Sequence, residues 1–309
     1  MPHISTVNEI IDRKKTGEYC FATWDDGVWL YDGNRVKVIN DKSYPLLKDV
    51  CIYSVLEDRE GNLWLGSRSG LFMLDSFGKL HSLEQLTGEG NKDFSCSSVF
   101  KLVEDGNGDI WVATAVAGVW RIQRKKNKYS VRCYDVSNHN ASIIGAVSLA
   151  VDNHNRIWAG GNETGVCMYD RDKDIFVPML NDYFEESEIV SCILNDGHGS
   201  IWITTNLEVY RIKMSESSDK MSVEIFTIED GLQGYIFNRN ACCMGKNGKI
   251  FLGGVHGINI LDIDVMTSNT YSSPVVITDL KIYNESVRNM ERSKYDEILS
   301  GSLDCTDHI

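Results

Sequence analysis

The chain contains 309 residues with a formal net charge of −13, and 42% of the residues are hydrophobic while only four are proline. A chain of this size and composition can bury a large core, which excludes the disordered and collagen-like classes. No apolar run approaches the roughly 18 to 20 residues that a membrane-spanning helix needs, and the acidic balance argues against contact with nucleic-acid phosphates.

A repeat of 44 to 49 residues organises the sequence. In most copies its centre is an aromatic residue within a short apolar run, and an acidic, glycine-rich turn precedes it. The six anchor positions, of which the first marks the weakest copy, are Cys20, Trp64, Trp111, Trp158, Trp202 and Phe251. This period is typical of one propeller blade.

In chain order, each copy reads as a first strand, a tight turn, a second strand with the anchor, a third strand after a glycine, and a less regular fourth strand. Asp-Gly steps such as Asp105-Gly106 supply the positive φ angles of the turns. Radial stacking covers both faces of each sheet, so we predict an all-β propeller with about six four-stranded blades over residues 1–265. The tryptophan anchors are predicted to be buried between blades, and the small residues two places later to fit a crowded axis.

The nine cysteines form no CxxC pairs, which argues against both a disulfide framework and a structural zinc site. Adjacent Cys242 and Cys243 cannot readily bridge each other, and we interpret both as packing residues. The cysteines in strand-like stretches are predicted to be small buried thiols: Cys20, Cys51, Cys167, Cys192 and Cys243. We predict no metal and no cofactor.

The best copies, Val55–Asp75 and Val103–Ile122, resemble the two-component regulator propeller repeat of sensor regions in hybrid two-component systems of Bacteroides-type bacteria. Residues 226–261 resemble the passage that ends the second propeller of that family, and residues 273–284 resemble the first strand of its immunoglobulin-like, triple-tyrosine domain. The resemblance implies a seven-bladed ring, a periplasmic location, a homodimer in the full-length protein, and a membrane helix and histidine kinase further along the chain.

Two accounts of the chain stay open. It is either a fragment of a seven-bladed ring followed at residues 266–309 by a linker and a truncated immunoglobulin-like domain, or a complete six-bladed ring. The first residues also lack the charged and then apolar profile of a signal peptide, so we expect either a cytoplasmic chain or one whose targeting segment has been removed.

The sequence contains no nucleophile elbow, HExxH, Walker loop or dinucleotide fingerprint, so we predict no catalytic residue. Function in a propeller lies in the loops at one end of its axis. Loop residues with aromatic or polar side chains are therefore predicted to contact a small molecule or an oligosaccharide: Trp24, Asp25, Arg68, Asn162, Glu163, Tyr235 and His256. The family resemblance implies that the ligand is often an oligosaccharide.

The preferred interpretation is a non-enzymatic sensor module, and two other functions stay open. A propeller lyase would need clustered histidines, glutamates or a metal on the axial loops, and His256, followed by His139, is the histidine that would serve it. A protein-interaction scaffold would need an exposed apolar patch on loops that here are mostly polar.

Overall fold

The computed structural model describes residues 6–88, 97–125, 128–138, 140–162, 165–184, 188–214, 221–263, 265–266, 279, 281–282 and 285–286. The chain divides into two compact units, Met1–Ile263 and Asp264–Ile309. The predicted domains 1–265 and 266–309, and the immunoglobulin-like identity of the second, stay predictions. His139 and Glu163 lie outside the described residues.

Six antiparallel sheets, each made of consecutive strands, follow one another in the first unit, and we number them as blades 1 to 6. Blade 1 contains β1 (Val7–Asp12), β2 (Tyr19–Thr23), β3 (Val28–Tyr31) and β4 (Val36–Ile39). Blade 2 contains β5 (Ile52–Glu57), β6 (Leu63–Ser67), β7 (Gly70–Leu74) and β8 (Leu80–Ser82). Blade 3 contains β9 (Val99–Glu104), β10 (Ile110–Thr114), β11 (Val119–Lys125) and β12 (Lys128–Tyr134). Blade 4 contains β13 (Ser148–Val151), β14 (Ile157–Gly160), β15 (Val166–Asp170) and β16 (Ile175–Met179). Blade 5 contains β17 (Val190–Asn195), β18 (Ser200–Thr205), β19 (Val209–Met214) and β20 (Met221–Phe226). Blade 6 contains β21 (Phe237–Met244), β22 (Lys249–Gly254) and β23 (Gly257–Asp262).

The remaining regular elements that the structure describes are few. The α-helix α1 (Leu83–Thr87) follows blade 2, and two 3-10 helices span Pro45–Leu47 and Ile228–Asp230. In the second unit, β24 (Lys281–Ile282) pairs with β25 (Glu285–Ser286). The predicted all-β propeller with about six blades is confirmed.

The first strands of successive blades lie against one another and so surround the axis. Behind them, the second strands carry the anchors Trp64, Trp111, Trp158 and Trp202, which are at most 1% exposed. Trp64 and Trp111 pack toward the next blade; Trp111, for example, contacts Tyr169 and Phe176 of blade 4 with ring centroids 4.7 and 5.8 Å away. Trp202 instead stacks on Phe226 of its own blade, with ring centroids 5.6 Å apart. The predicted burial of the four tryptophans is confirmed, and its predicted position between blades is confirmed for Trp64 and Trp111.

In blades 2 and 4, the glycine two places after the anchor is required by the close approach of the next blade. A Cβ atom at Gly66 would lie 2.5 Å from Cγ1 of Val99, and one at Gly160 would lie 2.5 Å from Cγ1 of Val190. Val99 and Val190 each begin the first strand of the following blade. The predicted crowding at these positions is confirmed, because a side chain there would push the inner strands apart.

The cysteine predictions are partly wrong. Cys192 in β17 and Cys242 in β21 form a disulfide with Cα atoms 6.4 Å apart, and Cys243 is exposed rather than buried. The two bridged cysteines are 50 residues apart, about one repeat, so the fold places them on neighbouring inner strands. A search for local CxxC pairs does not detect such a bridge. Cys20 and Cys167 are buried as predicted.

Blades 1 and 6 present apolar groups on faces that no other blade of the described residues covers. In blade 6, Ile258 and Ile260 are 65% and 58% exposed beside the half-buried anchor Phe251. In blade 1, Ile10 and Tyr19 are 56% and 47% exposed on the face away from blade 2. These are the faces on which a seventh blade would pack, and the seven-bladed ring stays a prediction.

Candidate functional site

The two ends of the axis carry different connections. At one end, which we call the turn end, hairpin turns join the first to the second strand of each blade and the third to the fourth. At the other, the loop end, lie the loops between the second and third strands and the connections from one blade to the next. The sequence-predicted ligand contacts belong to the loop end.

A recurrent hydrogen-bond arrangement occupies the turn end. Its centre is a buried aspartate six residues before each anchor tryptophan, at Asp58, Asp105, Asp152 and Asp196. One carboxylate oxygen accepts a hydrogen bond from the indole Nε1, at 2.9 to 3.1 Å. The other accepts from the backbone amides two and four residues ahead, at 2.8 to 3.1 Å. These carboxylates therefore hold the turn and the indole together.

Asp105 shows how this arrangement keeps the carboxylate charged. Burial alone would raise the pKa of Asp105, but hydrogen bonds from Arg171, from Trp111 and from the turn amides hold that pKa below its usual value. The Arg171 guanidinium lies 2.8 Å from Oδ2 of Asp105 and reaches it from blade 4. The charge thus links two blades as well as closing a turn.

Three aromatic rings form a continuous row at the loop end, and we call them the axial aromatic row. Trp24 directly follows β2, whereas Tyr53 and Phe100 are the second residues of the inner strands β5 and β9. The Trp24 and Tyr53 ring centroids are 5.6 Å apart in an edge-on arrangement, and those of Tyr53 and Phe100 are 5.4 Å apart. Tyr53 and Phe100 are half-buried, while Trp24 is 45% exposed.

Two arginines flank this row. The Arg239 guanidinium lies over the Phe100 ring, 4.3 Å from its centroid, and the positive charges of Arg68 and Arg239 both act on Tyr53. Burial raises the pKa of the Tyr53 hydroxyl, aided by Cys51, and the two arginines oppose that rise. Desolvation lowers the pKa of Arg239 itself. The row is therefore an apolar surface with a positive rim.

A pocket of about 260 Å³ opens on the other side of Trp24. Trp24, Asp25 and Asn40 line it together with further carboxylates. Asp26 is held there by hydrogen bonds from Trp29 Nε1 at 3.2 Å and from Asn40 Nδ2 at 2.8 Å. The complete lining is Trp24, Asp25, Asp26, Gly27, Asn40, Asp41, Leu47, Asp49, Val50 and Cys51. The pocket thus combines an exposed indole with several hydrogen-bond acceptors.

The structure groups some of the sequence-predicted contacts and separates others. Trp24 and Asp25 share the pocket, and Arg68 adjoins it because its backbone amide donates to the carbonyl oxygen of Cys51 at 3.0 Å. Tyr235 and His256 are exposed on the loops of blade 6, and Asn162 is exposed on the loop of blade 4. These three residues are not among those that line the Trp24 pocket, and their role in binding stays a prediction.

Tyr53, Phe100 and Arg239 are the residues that sequence reasoning missed. Tyr53 and Phe100 each lie eleven residues before an anchor tryptophan, and the same position holds Val147 and Ser191 in blades 4 and 5. A repeat position that faces the axis and differs in residue type between copies is the sequence feature that could have identified Tyr53 and Phe100. Arg239 could not be found this way, because β21 changes register between Phe237 and Cys242.

The described residues offer neither a metal cluster nor a membrane-spanning helix. Across these ranges, no three or more His, Cys, Asp or Glu side chains cluster in a way that could hold a metal ion. In the same part of the chain, no helix combines the length and apolar character needed to cross a bilayer.

Comparisons with known proteins agree with the sequence resemblance. Residues 46–69 match the family model described as two component regulator propeller, which confirms the predicted resemblance over that segment. Histidine kinase P4 of Formosa agariphila is 22% identical over 331 residues, covering 87% of this chain and 22% of that protein.

Solved structures share the propeller fold. The extracellular domain of a hybrid two-component system from B. thetaiotaomicron superposes with a TM-score of 0.58 and 21% identity, over 88% of this chain and 41% of that one. Virginiamycin B lyase from Staphylococcus aureus superposes with a TM-score of 0.61 and 14% identity, over 90% and 87%. The chain thus spans about a fifth of the kinase and two fifths of that extracellular domain.

Proposed function

We propose that this chain is an extracytoplasmic, non-enzymatic ligand-sensing module of a hybrid two-component system and that its loop end binds an oligosaccharide. The observation that carries the proposal is the Trp24 pocket, where an exposed indole stands beside the carboxylates of Asp25 and Asp26 and the amide of Asn40.

The chemistry of a sugar ring matches that pocket. The C–H faces of a pyranose are apolar and stack on an indole. Its hydroxyls donate hydrogen bonds to carboxylates, and they both donate to and accept from side-chain amides. Asp26 is already oriented by Trp29 and Asn40, so an acceptor is fixed before the ligand arrives. Preorganised polar groups around an apolar platform give affinity and orientation at a low entropic cost.

Two further observations support the extracytoplasmic sensor assignment. The chain resembles the extracellular domain of a hybrid two-component system over 88% of its length. The Cys192–Cys242 disulfide joins two inner strands, and disulfides persist mainly in oxidising compartments such as the bacterial periplasm. A periplasmic location accounts for both observations.

In this proposal the ligand shifts the equilibrium between alternative arrangements of domains or subunits. A rigid propeller reports binding only when the ligand favours one arrangement of neighbouring domains, or of the two subunits of a dimer, over another. The signal would then pass to a histidine kinase and a transcription regulator elsewhere in the full-length protein. The homodimer and the membrane connection belong to the same proposal.

The direct test is calorimetric titration of the 309-residue chain with a panel of neutral and acidic oligosaccharides. We expect at least one to bind, and we expect Trp24→Ala to weaken it by about tenfold or more because the stacking platform is lost. Phe77→Ala is the matched control, since Phe77 is 95% exposed on a turn at the opposite end. Unchanged affinity in Trp24→Ala, or no binding of any oligosaccharide, would refute the proposed site.

A further inference from the structure

The inner strand of blade 6 departs from the regular pattern at the loop end. Asn240 has a positive φ of 53°, and the pairing of β21 with β22 shifts register between Phe237 and Cys242. Such bulges re-aim side chains next to functional sites. Here the bulge directs Arg239 across the axis to the Phe100 ring of blade 3.

The position of Arg239 is fixed by its neighbours. Asn240 Nδ2 donates hydrogen bonds at 3.0 Å to the carbonyl oxygens of Phe100 and Val147, which belong to two other blades. Two residues later, the Cys242–Cys192 disulfide ties the same strand to blade 5. The backbone that carries Arg239 is therefore held within the bulge and at its C-terminal end, and the guanidinium is preorganised over the axial aromatic row.

Arg68 is placed by a separate set of contacts on the neighbouring loop. Its amide donates to the carbonyl oxygen of Cys51 at 3.0 Å, and its carbonyl oxygen accepts from Ser98 Oγ at 3.3 Å. These bonds hold the backbone of Arg68 between blades 2 and 3. Both guanidinium groups are near enough to Tyr53 for their charges to act on its hydroxyl.

Arg68 and Arg239 differ from most other arginines of the described residues in their ion pairing. Its net charge is −13, and eight other described arginines form ion pairs with carboxylates: Arg13, Arg59, Arg121, Arg124, Arg132, Arg156, Arg171 and Arg211. Neither Arg68 nor Arg239 has a carboxylate partner within the ranges that the structure describes. Among the described residues, two cations therefore lie beside three aromatic rings without an ion pair to a carboxylate.

We infer that Arg68 and Arg239 form an oxyanion subsite and that the oligosaccharide bound at the loop end carries carboxylate or sulfate groups. The inference rests on the proposed function and narrows its ligand to acidic sugars. A guanidinium offers a planar fork of donors that fits a carboxylate or sulfate in a bidentate way, while Tyr53 and Phe100 provide an apolar surface for the ring. Trp24 connects this subsite to the neighbouring pocket.

The test compares each acidic oligosaccharide with its own neutral counterpart. The probes are oligogalacturonates with their carboxyl-reduced forms and sulfated galactan fragments with their desulfated forms, each titrated calorimetrically into the 309-residue chain. We expect at least one acidic probe to bind about tenfold more tightly than its neutral form, because charge-assisted hydrogen bonds are lost on neutralisation. The two probe families distinguish a carboxylate from a sulfate ligand.

The variants assign that preference to the two arginines. In Arg68→Gln and Arg239→Gln the difference between acidic and neutral forms should fall to about threefold or less, whereas Arg239→Lys should keep part of it. Arg35→Gln is the control, since Arg35 is an exposed arginine on a turn at the opposite end. A full preference retained in both Gln variants would overturn the inference.

The remaining outcomes separate the two proposals. If neutral oligosaccharides bind as tightly as acidic ones and Trp24→Ala abolishes that binding, the oxyanion subsite is refuted and the proposed function stands. If no oligosaccharide binds, both are refuted.

Discussion

The turn end and the loop end of the axis use their polar groups in opposite ways. At the turn end, four blades repeat one arrangement in which an aspartate such as Asp105 is saturated by an indole and two backbone amides. At the loop end, the inner-strand position that holds Tyr53 and Phe100 differs from blade to blade, and Arg68 and Arg239 have no carboxylate partner among the described residues. The residues that make the repeat recognisable thus hold the fold, and the positions at which the copies differ are available for binding.

The largest expected effect compares two tryptophans. Trp111→Ala should lower the free energy of unfolding by about 3 to 5 kcal/mol, because a fully buried indole leaves a cavity between blades. Trp24→Ala should change it by less than about 0.5 kcal/mol, since the side chain is exposed. Urea unfolding followed by circular dichroism measures both. Losses of similar size would contradict the division between the two ends.

Removing the disulfide should have the next largest effect. Replacing Cys192 and Cys242 with serine should cost about 2 to 4 kcal/mol, because the bridge closes a long loop between blades 5 and 6. The control is Cys243→Ser, which removes an exposed free thiol next to the bridge. Chemical denaturation without reductant measures the difference, and equal stability of the double variant and the wild type would show that the bridge does not form in solution.

The shared aspartate arrangement predicts a smaller loss with a defined pH dependence. Asp105→Asn should cost about 1 to 3 kcal/mol near neutral pH, because a buried acceptor of charge-assisted hydrogen bonds is replaced. The pKa of Asp105 is lower in the folded state, so its contribution is fully present above the unfolded pKa of about 3.9 and is lost as the pH falls through the folded pKa.

Unfolding of Asp105→Asn and wild type should therefore be compared from pH 7 down to pH 2. The stability gap is expected to stay constant above about pH 4 and to narrow below it. A gap that is independent of pH would mean that the carboxylate charge does not stabilise this turn.

Arg239 at the loop end is expected to contribute less to stability than Trp111, the disulfide or Asp105. Arg239→Gln removes a cation from the Phe100 ring and should lower the free energy of unfolding by less than about 1 kcal/mol. The same urea titrations provide the measurement. A loss as large as that of Trp111→Ala would show that Arg239 is a structural residue.

Much of the fold could be predicted because burial acts on every copy in the same way. A buried indole and a small residue two places later recur in each blade from Trp64 to Trp202, and a periodic constraint of this kind is visible in one sequence. The weak copy at Cys20 was also placed correctly, since that thiol fills the anchor position without exposure.

The candidate site could be predicted only in part. Trp24 and Arg68 were found because loops after second strands must lie at one end of a propeller. Arg239 was missed because its direction depends on a bulge at Asn240 that is stabilised from two other blades. The Cys192–Cys242 disulfide was missed for a related reason, since its cysteines meet only after neighbouring inner strands are in register.

Hydrogen–deuterium exchange of the chain with and without a saturating oligosaccharide tests most directly whether the loop end is the binding end. We expect new protection in the segments around Trp24, Tyr53 and Arg239 and none in the turns at 58–62 and 105–109. Protection confined to those turns, with the loop segments unchanged, would contradict the account.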